Sequence, residues 1–382
     1  MRIVCDGAAR WQWRGDMGHA RMIHFVCLCI HYHAKTKLRV PPQIRFAMPL
    51  FQILEDSGGE SLTFVNDAAS KLQALIAIHS TRRGPAFGGI RTLSYQSESA
   101  AMTDAVRLAQ AMAYKAAVAD LPAGGGKIVV IKSEGMDREK AFRALGKAIQ
   151  RFGGNYFTGL DVGTTHEDLL EIAKETSYVA KDLDFGKATA RGVMAAIKGA
   201  MKHRLGDENL EGRSVAVQGL GAVGSELVTM LHAEGAILFV ADADQKLANE
   251  VGEKMECEVV NASRILTTEV DVLAPCALGS IFTVQNAEAM RCQIIAGSAN
   301  NQLASPAAGE ALRKAGITFV PDYVANAGAL IKGVTEYVDG NEVGFDVVDR
   351  IRANTLMVLE RADKESKPTS DVADAIARER LA

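Results

Sequence analysis

The chain has 382 residues, 48% of them apolar and 23% charged, a length that suits two domains and a balance that excludes a disordered tail or a collagen-like fibre. Its formal net charge of -3 lacks the basic footprint that holds nucleic acid or an anionic membrane surface, which leaves small-molecule chemistry as the default. The cysteines, Cys5, Cys27, Cys29, Cys257, Cys276 and Cys292, are too sparse for a disulfide framework and show no paired ligand spacing, so a reducing cytoplasm and no metal site are expected.

Residues 1–47 differ in texture from the rest, holding both tryptophans, four of the eight histidines and half the cysteines without helical or strand periodicity. They are expected to stand outside the fold. Their apolar run, 22–30, is interrupted by His24 and falls well short of the roughly 20 residues a membrane helix needs, so no span is expected. Arg10, Arg14 and Arg21 before that run would suit a targeting peptide, but Asp6, Asp16 and the lack of a cleavage site speak against one. The expectation is a mistaken upstream start, with Met48 the true first residue; native protein beginning well before Met48 would refute it.

From Leu72 the pattern is ordered. Residues 74–78 read as a strand and 98–119 as a long helix carrying Val106, Leu108 and Met112, followed by a glycine-rich break. Residues 128–131 are a short buried strand. Residues 137–152 form a helix with Phe142, Leu145, Ile149 and Phe152 at three- and four-residue steps, and 156–158 another strand. Thr164 followed by Glu167 has capping-box spacing, predicting a helix over 164–178. Val193, Ile197 and Met201 then share one helical face. Apolar runs at 214–218, 237–241, 270–273, 294–296 and 317–320, separated by helical stretches, have the organisation of a doubly wound parallel sheet. The tail is helical over 347–359, breaks at Pro368, and ends in a charged helix over 371–381.

Directly after the 214–218 strand stands Gly219-Leu220-Gly221-Ala222-Val223-Gly224, with a helical pattern following. Gly219 permits the tight turn, Gly221 lets backbone amides approach a pyrophosphate, and Gly224 lets the helix pack closely on the strand. The next strand ends in Asp242, near the roughly 20-residue separation at which a carboxylate accepts hydrogen bonds from an adenosine ribose. That carboxylate also repels a 2′-phosphate, favouring NAD over NADP. The plainer reading is a tight turn with an acid that merely ends a strand. Asp244 is the weaker ribose candidate, since it falls where it would cap the next helix.

Lys115 and Lys127 bracket the glycine-rich segment in a region otherwise patterned as core. A charged lysine can hold a carboxylate, and a desolvated one near another cation has a lowered pKa that suits acid-base work near neutrality. Taken singly, either lysine is also consistent with a solvated surface charge.

The ordered series Gly84-Pro-Ala-Phe-Gly-Gly-Ile-Arg91, Tyr114-Lys115, Gly124-Gly-Gly-Lys127, Asp161-Val-Gly-Thr-Thr165, Val217-Gln-Gly-Leu-Gly221, Ala274-Pro-Cys-Ala-Leu-Gly279, Ala296-Gly-Ser-Ala-Asn-Asn-Gln-Leu303 and Pro321-Asp-Tyr-Val-Ala-Asn-Ala-Gly328 resembles the glutamate/leucine/phenylalanine/valine dehydrogenase family, its leucine-type members above all. The likeness covers nearly everything beyond Leu62. It implies an α/β fold with a substrate and oligomerisation domain over 48–184, an NAD-binding Rossmann domain over 185–339, C-terminal helices over 340–382 packed back on the first domain, and an active site in the cleft between. It also implies a homo-oligomer. The implied reaction is reversible oxidative deamination of an amino acid to its 2-oxo acid and ammonia with NAD.

Position by position, the resemblance gives Lys115 the substrate carboxylate, with Gly88 and Gly89 shaping the loop beside it. It gives Lys127 the activation of water and stabilisation of a carbinolamine, and Asp161 the proton exchange with the substrate nitrogen. Asp161 has a plainer reading as a turn residue before the next helix. Asn326 matches a polar position of the cleft and is assigned to the substrate. Asn300, Asn301, Thr189, Cys276 and Ala277 join Gly219, Gly221, Ala222, Val223, Gly224 and Asp242 as cofactor contacts.

Phe87 stands where glutamate-specific relatives have a lysine for the side-chain carboxylate, so an apolar substrate is implied. Leucine-type members place a smaller aliphatic residue there, and Phe87 takes space from that wall. Gly159 and Gly333 sit where the family often has alanine and valine and can return it, with Leu330 on the same segment as Gly333. One methylene shifts such discrimination by about 1 to 3 kcal/mol; leucine and other branched chains are favoured, with phenylalanine as the alternative.

Two departures stand out. Between Tyr178 and Arg191 the family has a longer loop with a proline and serine pair before its threonine, whereas Phe185-Gly-Lys-Ala-Thr189 is abrupt, which bears on cofactor contacts and closure. Ala329 replaces a favoured glycine. A catalytically silent homologue that senses NAD or amino acids is the competing reading, opposed by the joint presence of Lys115, Lys127 and Asp161. A 2-hydroxy-acid dehydrogenase lacks the His-Asp or His-Arg pair it would need after the fingerprint.

Overall fold

A computed structural model describes residues 50–277 and 279–382; the expectations for residues 1–47 lie outside the described residues. After helix α1 (Leu50–Ser57), the chain builds a mixed sheet from β1 (Ser61–Asp67), β2 (Leu72–Ser80), β3 (Ala86–Phe87), β4 (Ile90–Leu93), β5 (Gly124–Ile131) and β6 (Tyr156–Phe157). The order is β1-β2-β5-β3-β6 with β4 also on β5; β1, β2 and β5 run antiparallel and the other pairs are parallel. Helix α2 (Glu98–Val118) covers one face, and α3 (Arg138–Gln150) and α4 (His166–Ala173) the other. Strand β2 shows why it reads as an unbroken apolar run: Leu75 and Ala77 face α2, while Ala74, Ile76 and Ile78 face α3 and α4. On α3, Phe142, Leu145 and Ile149 are all fully buried, each contributing about 1.5 to 3 kcal/mol.

The glycine-rich segment expected to be a break is part of β5. A Cβ on Gly124 would stand 1.9 Å from the Ser80 carbonyl oxygen, and one on Gly125 would stand 2.0 Å from the Ala113 amide nitrogen of α2. Only glycine lets helix and sheet approach this closely. The cap expected at Thr164 also moves by one residue. Thr165 accepts from the Asp168 amide while the Asp168 carboxylate accepts from the Thr165 amide, and α4 ends at Ala173, not Tyr178. Thr164 instead donates its hydroxyl to the Ile90 carbonyl, tying this turn to β4.

The second sheet follows α5 (Phe185–Leu205). It contains β7 (Ser214–Gln218), β8 (Ile237–Ala241), β9 (Glu258–Val259), β10 (Val270–Pro275), β11 (Cys292–Ile295) and β12 (Thr318–Phe319), all parallel, in the order β12-β11-β10-β7-β8-β9. Helices α6 (Ala222–Ala233), α7 (Gln245–Lys254), α8 (Val284–Ala287) and α9 (Pro306–Lys314) connect the strands. The order reverses beside β7, the switch point at which doubly wound sheets bind ligands. Short α10 (Asp322–Ala325) and α11 (Gly328–Asp339) lead to α12 (Arg350–Glu365) on α5 and α13 (Thr369–Leu381) on α2. Arg380 of α13 donates to the Ala117 and Val118 carbonyls, at 2.9 and 2.8 Å, satisfying the C-terminal end of α2. One apolar cluster joins the second sheet, α5, α11, α12, α13 and that end of α2.

Candidate active site

Backbone contact without side chains brings the charged groups together. A Cβ on Gly88 would lie 1.8 Å from the Gly126 carbonyl oxygen, and one on Gly89 would lie 2.4 Å from the Leu160 carbonyl oxygen. The Gly88-Gly89 pair therefore lies flat between β5 and the turn after β6. The hydroxyls of Tyr156 and Thr158 both donate to the Gly88 carbonyl at 3.0 Å. Lys127 on β5 and Asp161 after β6 meet across this wedge, with Nζ 2.8 Å from Oδ2. Arg91 on β4 donates to the same Oδ2 at 2.9 Å and also pairs with Asp104 of α2, which accepts from the Tyr95 hydroxyl at 2.9 Å.

Burial governs the protonation of this cluster. Lys127 is 5% exposed, and desolvation lowers its pKa against the pull of Asp161, with Arg91 adding to the drop. Burial alone would raise Asp161, but Lys127 and Arg91 hold it down to about 2. Lys115, on α2, is brought down to about 8 by burial; Asp322 opposes that shift and Lys127 adds to it. The result is an ionised carboxylate beside an ammonium that releases its proton more readily than a free lysine would. Such a pair can take a proton from one group and pass it to another.

The opposite side of the cleft is made by the second sheet. Gly219 has φ of +91°, and a Cβ there would stand 2.7 Å from the Ala277 Cβ; one on Gly224 would stand 1.9 Å from the Gly219 carbonyl oxygen. No side chain caps α6 at Gly221, so its first amides can serve an anion. Both oxygens of Asp242 are oriented by backbone amides, Leu220 at 2.7 Å and Asp244 at 2.8 Å. Asp244 itself caps α7, the simpler of its two readings. Asn326 donates to the Ser298 carbonyl and to Asn300 Oδ1, leaving its own Oδ1 buried without a partner. The Asn301 amide donates to Asp322 at 2.7 Å.

Profile models of two families match the chain: a Glu/Leu/Phe/Val dehydrogenase dimerisation domain over residues 61–178, and Glutamate/Leucine/Phenylalanine/Valine dehydrogenase over 183–257 and 236–380. The chain belongs to the glutamate/leucine/phenylalanine/valine dehydrogenase family. It is an amino-acid dehydrogenase, acting on a CH–NH2 carbon. Among proteins similar to this dehydrogenase, leucine dehydrogenase of Thermoactinomyces intermedius is 42% identical over 87% of this chain and 94% of its own. Phenylalanine dehydrogenase of Bacillus thermotolerans is 37% identical over 84% and 88%. The crystal structure of L-tryptophan dehydrogenase from Nostoc punctiforme superposes with a TM-score of 0.77 at 39% identity, covering 87% of this chain and 98% of that one.

In this dehydrogenase a cleft of about 920 Å³ is lined by Phe87, Gly88, Gly89, Lys115, Lys127, Gly159, Asp161, Asn326, Leu330 and Gly333 together with Thr189, Ala222, Val223, Cys276, Ala277, Asn300 and Asn301. Gly219, Gly221, Gly224 and Asp242 are not among the residues lining that cleft: Gly219 follows β7, Gly221 is the N-cap of α6, Gly224 lies in its first turn and Asp242 follows β8. The Phe87 ring packs with Phe157 and Tyr337 at centroid distances of 5.1 and 5.5 Å. The sequence motifs do not single out Arg91, Asp104 or Asp322 as site residues. Arg91 carries a signal as the lone cation of the alternating Ile90–Leu93 strand, and Asp322 stands directly after Pro321 in the Pro321–Gly328 motif.

Proposed function

We propose that this enzyme oxidises an apolar L-amino acid with NAD to the 2-oxo acid and ammonia, with leucine and branched chains preferred. The carrying observation is the buried Lys127–Asp161 pair at 2.8 Å, facing the same cleft as Lys115 and the apolar Phe87 and Leu330. In this reading residues 48–184 hold the substrate, 185–339 hold the nucleotide, and 340–382 tie back to the first part. Phe87 offers no charge to a glutamate side chain.

The residues fit NAD. The open space at Gly221, where a Cβ would meet nothing within 4 Å, the uncapped start of α6 and the oriented Asp242 carboxylate form a cradle for pyrophosphate and ribose. Asn326 keeps an unsatisfied acceptor for a ligand, and Thr189, Cys276, Ala277, Asn300 and Asn301 line the cleft beside it. Bound NAD supplies the hydride acceptor. Lys115, while charged, holds the substrate carboxylate, and Asp161 accepts a proton from the substrate ammonium. Once the α-carbon is oxidised to an iminium, Lys127 in the neutral form that burial favours takes one proton from water as the oxygen adds. Asp161 returns its proton to the carbinolamine nitrogen, the C–N bond breaks, and the departing ammonia carries off the hydroxyl proton as ammonium while the carbonyl forms. The net change is amino acid, NAD and water to 2-oxo acid, ammonium, NADH and a proton.

We place the enzyme in the cytoplasm as a homo-oligomer. Its described cysteines are unpaired, no described helix is long and apolar enough to cross a membrane, and its first part matches a dimerisation domain. To test the reaction, the protein is mixed with NAD or NADP and, separately, leucine, valine, phenylalanine, tryptophan, glutamate and 2-hydroxyisocaproate, following nicotinamide reduction and ammonia release. Reduction with ammonia on apolar amino acids and NAD is expected. Binding of NAD without turnover of any amino acid would favour a silent homologue instead.

A further inference from the structure

Two glycines of the cleft leave gaps, and one short connector fills both. A Cβ on Gly159 would stand 2.7 Å from Cζ and 3.1 Å from Cε1 of the Phe185 ring; one on Gly333 would stand 3.6 Å from Cδ2 of Leu183. Carbon contacts settle near about 3.5 to 4.0 Å, so the tip of the Phe185 ring occupies the space that an alanine methyl at 159 would need. Leu183 lies in ordinary contact range of the α11 position.

The connector has little freedom to place these side chains elsewhere. At its start the Ala180 amide donates to the Thr158 carbonyl at 2.8 Å, and the Thr158 amide to the Tyr178 carbonyl at 3.0 Å. At its end Asp184 caps α5 by accepting from the Lys187 amide at 2.9 Å. Residues 181–183 alone span the two anchors. Phe185, the first residue of α5, packs on the core of the first sheet. Its neighbour Gly186 runs close to the cradle, where a Cβ would stand 3.3 Å from the Ala222 carbonyl oxygen. Leu183 and Phe185 line the same cleft as Phe87, Leu330, Lys127 and Asp161.

We propose that Leu183 and Phe185 form a wall of the pocket for the substrate side chain and set the upper limit on its size, with Gly159 as the seat of the Phe185 ring. This rests on the dehydrogenase reading above. The glycines at 159 and 333 do not enlarge the pocket, because the connector takes back what they release; the wall excludes phenyl and indole groups in favour of branched aliphatic ones.

The test compares kcat/KM for leucine, valine, phenylalanine and tryptophan in the parent, Phe185→Ala, Phe185→Leu, Gly159→Ala and the Gly159→Ala/Phe185→Ala double variant, with melting temperatures recorded for each. In Phe185→Ala the phenylalanine-to-leucine ratio rises about tenfold or more, largely through KM, and in Phe185→Leu by less. Gly159→Ala loses activity with every substrate, and the double variant recovers it because the ring no longer competes for the methyl's space. Unchanged ratios in an active Phe185→Ala or Phe185→Leu protein, or a double variant no better than Gly159→Ala, overturn the wall while leaving the dehydrogenase reading standing. A parent that turns over none of the four amino acids refutes that reading and the wall with it.

Discussion

Lys115 and Lys127 share a cleft, yet burial and partners give them different duties. Lys127 has Asp161 at 2.8 Å; Lys115 has no carboxylate that close and is brought down to about 8. In the proposed function Lys115 grips the substrate carboxylate, and the form able to do so is the charged one, dominant below about pH 8 and lost above it. Affinity for 2-oxoisocaproate, measured without reduced nicotinamide, therefore falls as pH rises through 8, by up to about tenfold per unit. Lys115→Arg, whose guanidinium stays charged, flattens that limb; a wild-type profile level from pH 7 to 9 contradicts the assignment. Asp242 permits a second test. If Asp242 faces the adenosine ribose as proposed, Asp242→Asn removes a charge that repels a 2′-phosphate, and the NAD-to-NADP ratio of kcat/KM drops by about tenfold or more, or about 1.4 kcal/mol. The lysines and Asp161 were legible because each stands in an ordered motif. Arg91 offered only a weak signal and Asp104 none, because Arg91 joins the cluster by reaching Asp161 from 70 residues away and Asp104 joins it only through Arg91.

At the scale of elements, glycine misled where it packs and informed where it turns. Gly219 announced its turn through a known spacing, whereas Gly124, Gly125 and Gly126 read as a break since glycine weakens strands. Only the nearness of Ser80, Ala113 and Tyr156 explains their place in a central strand. The capping box stands one residue later than its spacing suggests for a related reason: Thr164 and Thr165 both have an acid three residues on, and the bond from Thr164 to the Ile90 carbonyl leaves Thr165 to cap α4. Gly88 and Gly333 make the contrast measurable. Gly88→Ala drives a Cβ to 1.8 Å from the Gly126 carbonyl oxygen and lowers stability by about 3 kcal/mol or more. Gly333→Ala, on a helix with only Leu183 nearby, gains about 0.5 to 1 kcal/mol. Urea midpoints that moved together would show that backbone contact at Gly88 does not hold the wedge.

For the whole molecule, the alternation of strand and helix foretold five of the six parallel strands of the second sheet, each a short apolar run; the sixth, β9, is only Glu258–Val259 and carries no such signal. The antiparallel β1 and the short β3 and β4 carried no such pattern, two of them being only two and four residues long. How α13 returns to α2 depends on Arg380 finding the Ala117 and Val118 carbonyls, a contact across 263 and 262 residues of chain that no local signal encodes. Assembly belongs at this scale too: sedimentation at micromolar concentration is expected to show a homo-oligomer, and a lone monomer would contradict it. In the proposed function the Lys127–Asp161 pair performs the chemistry of an NAD-dependent deamination. That role is tested most directly by comparing parent and Lys127→Ala turnover at saturating NAD and apolar amino acid, with NAD affinity measured alongside. The expected result is a parent that reduces NAD and a variant that binds NAD equally but turns over about a hundredfold or more slowly; near-normal turnover by the variant would contradict the account.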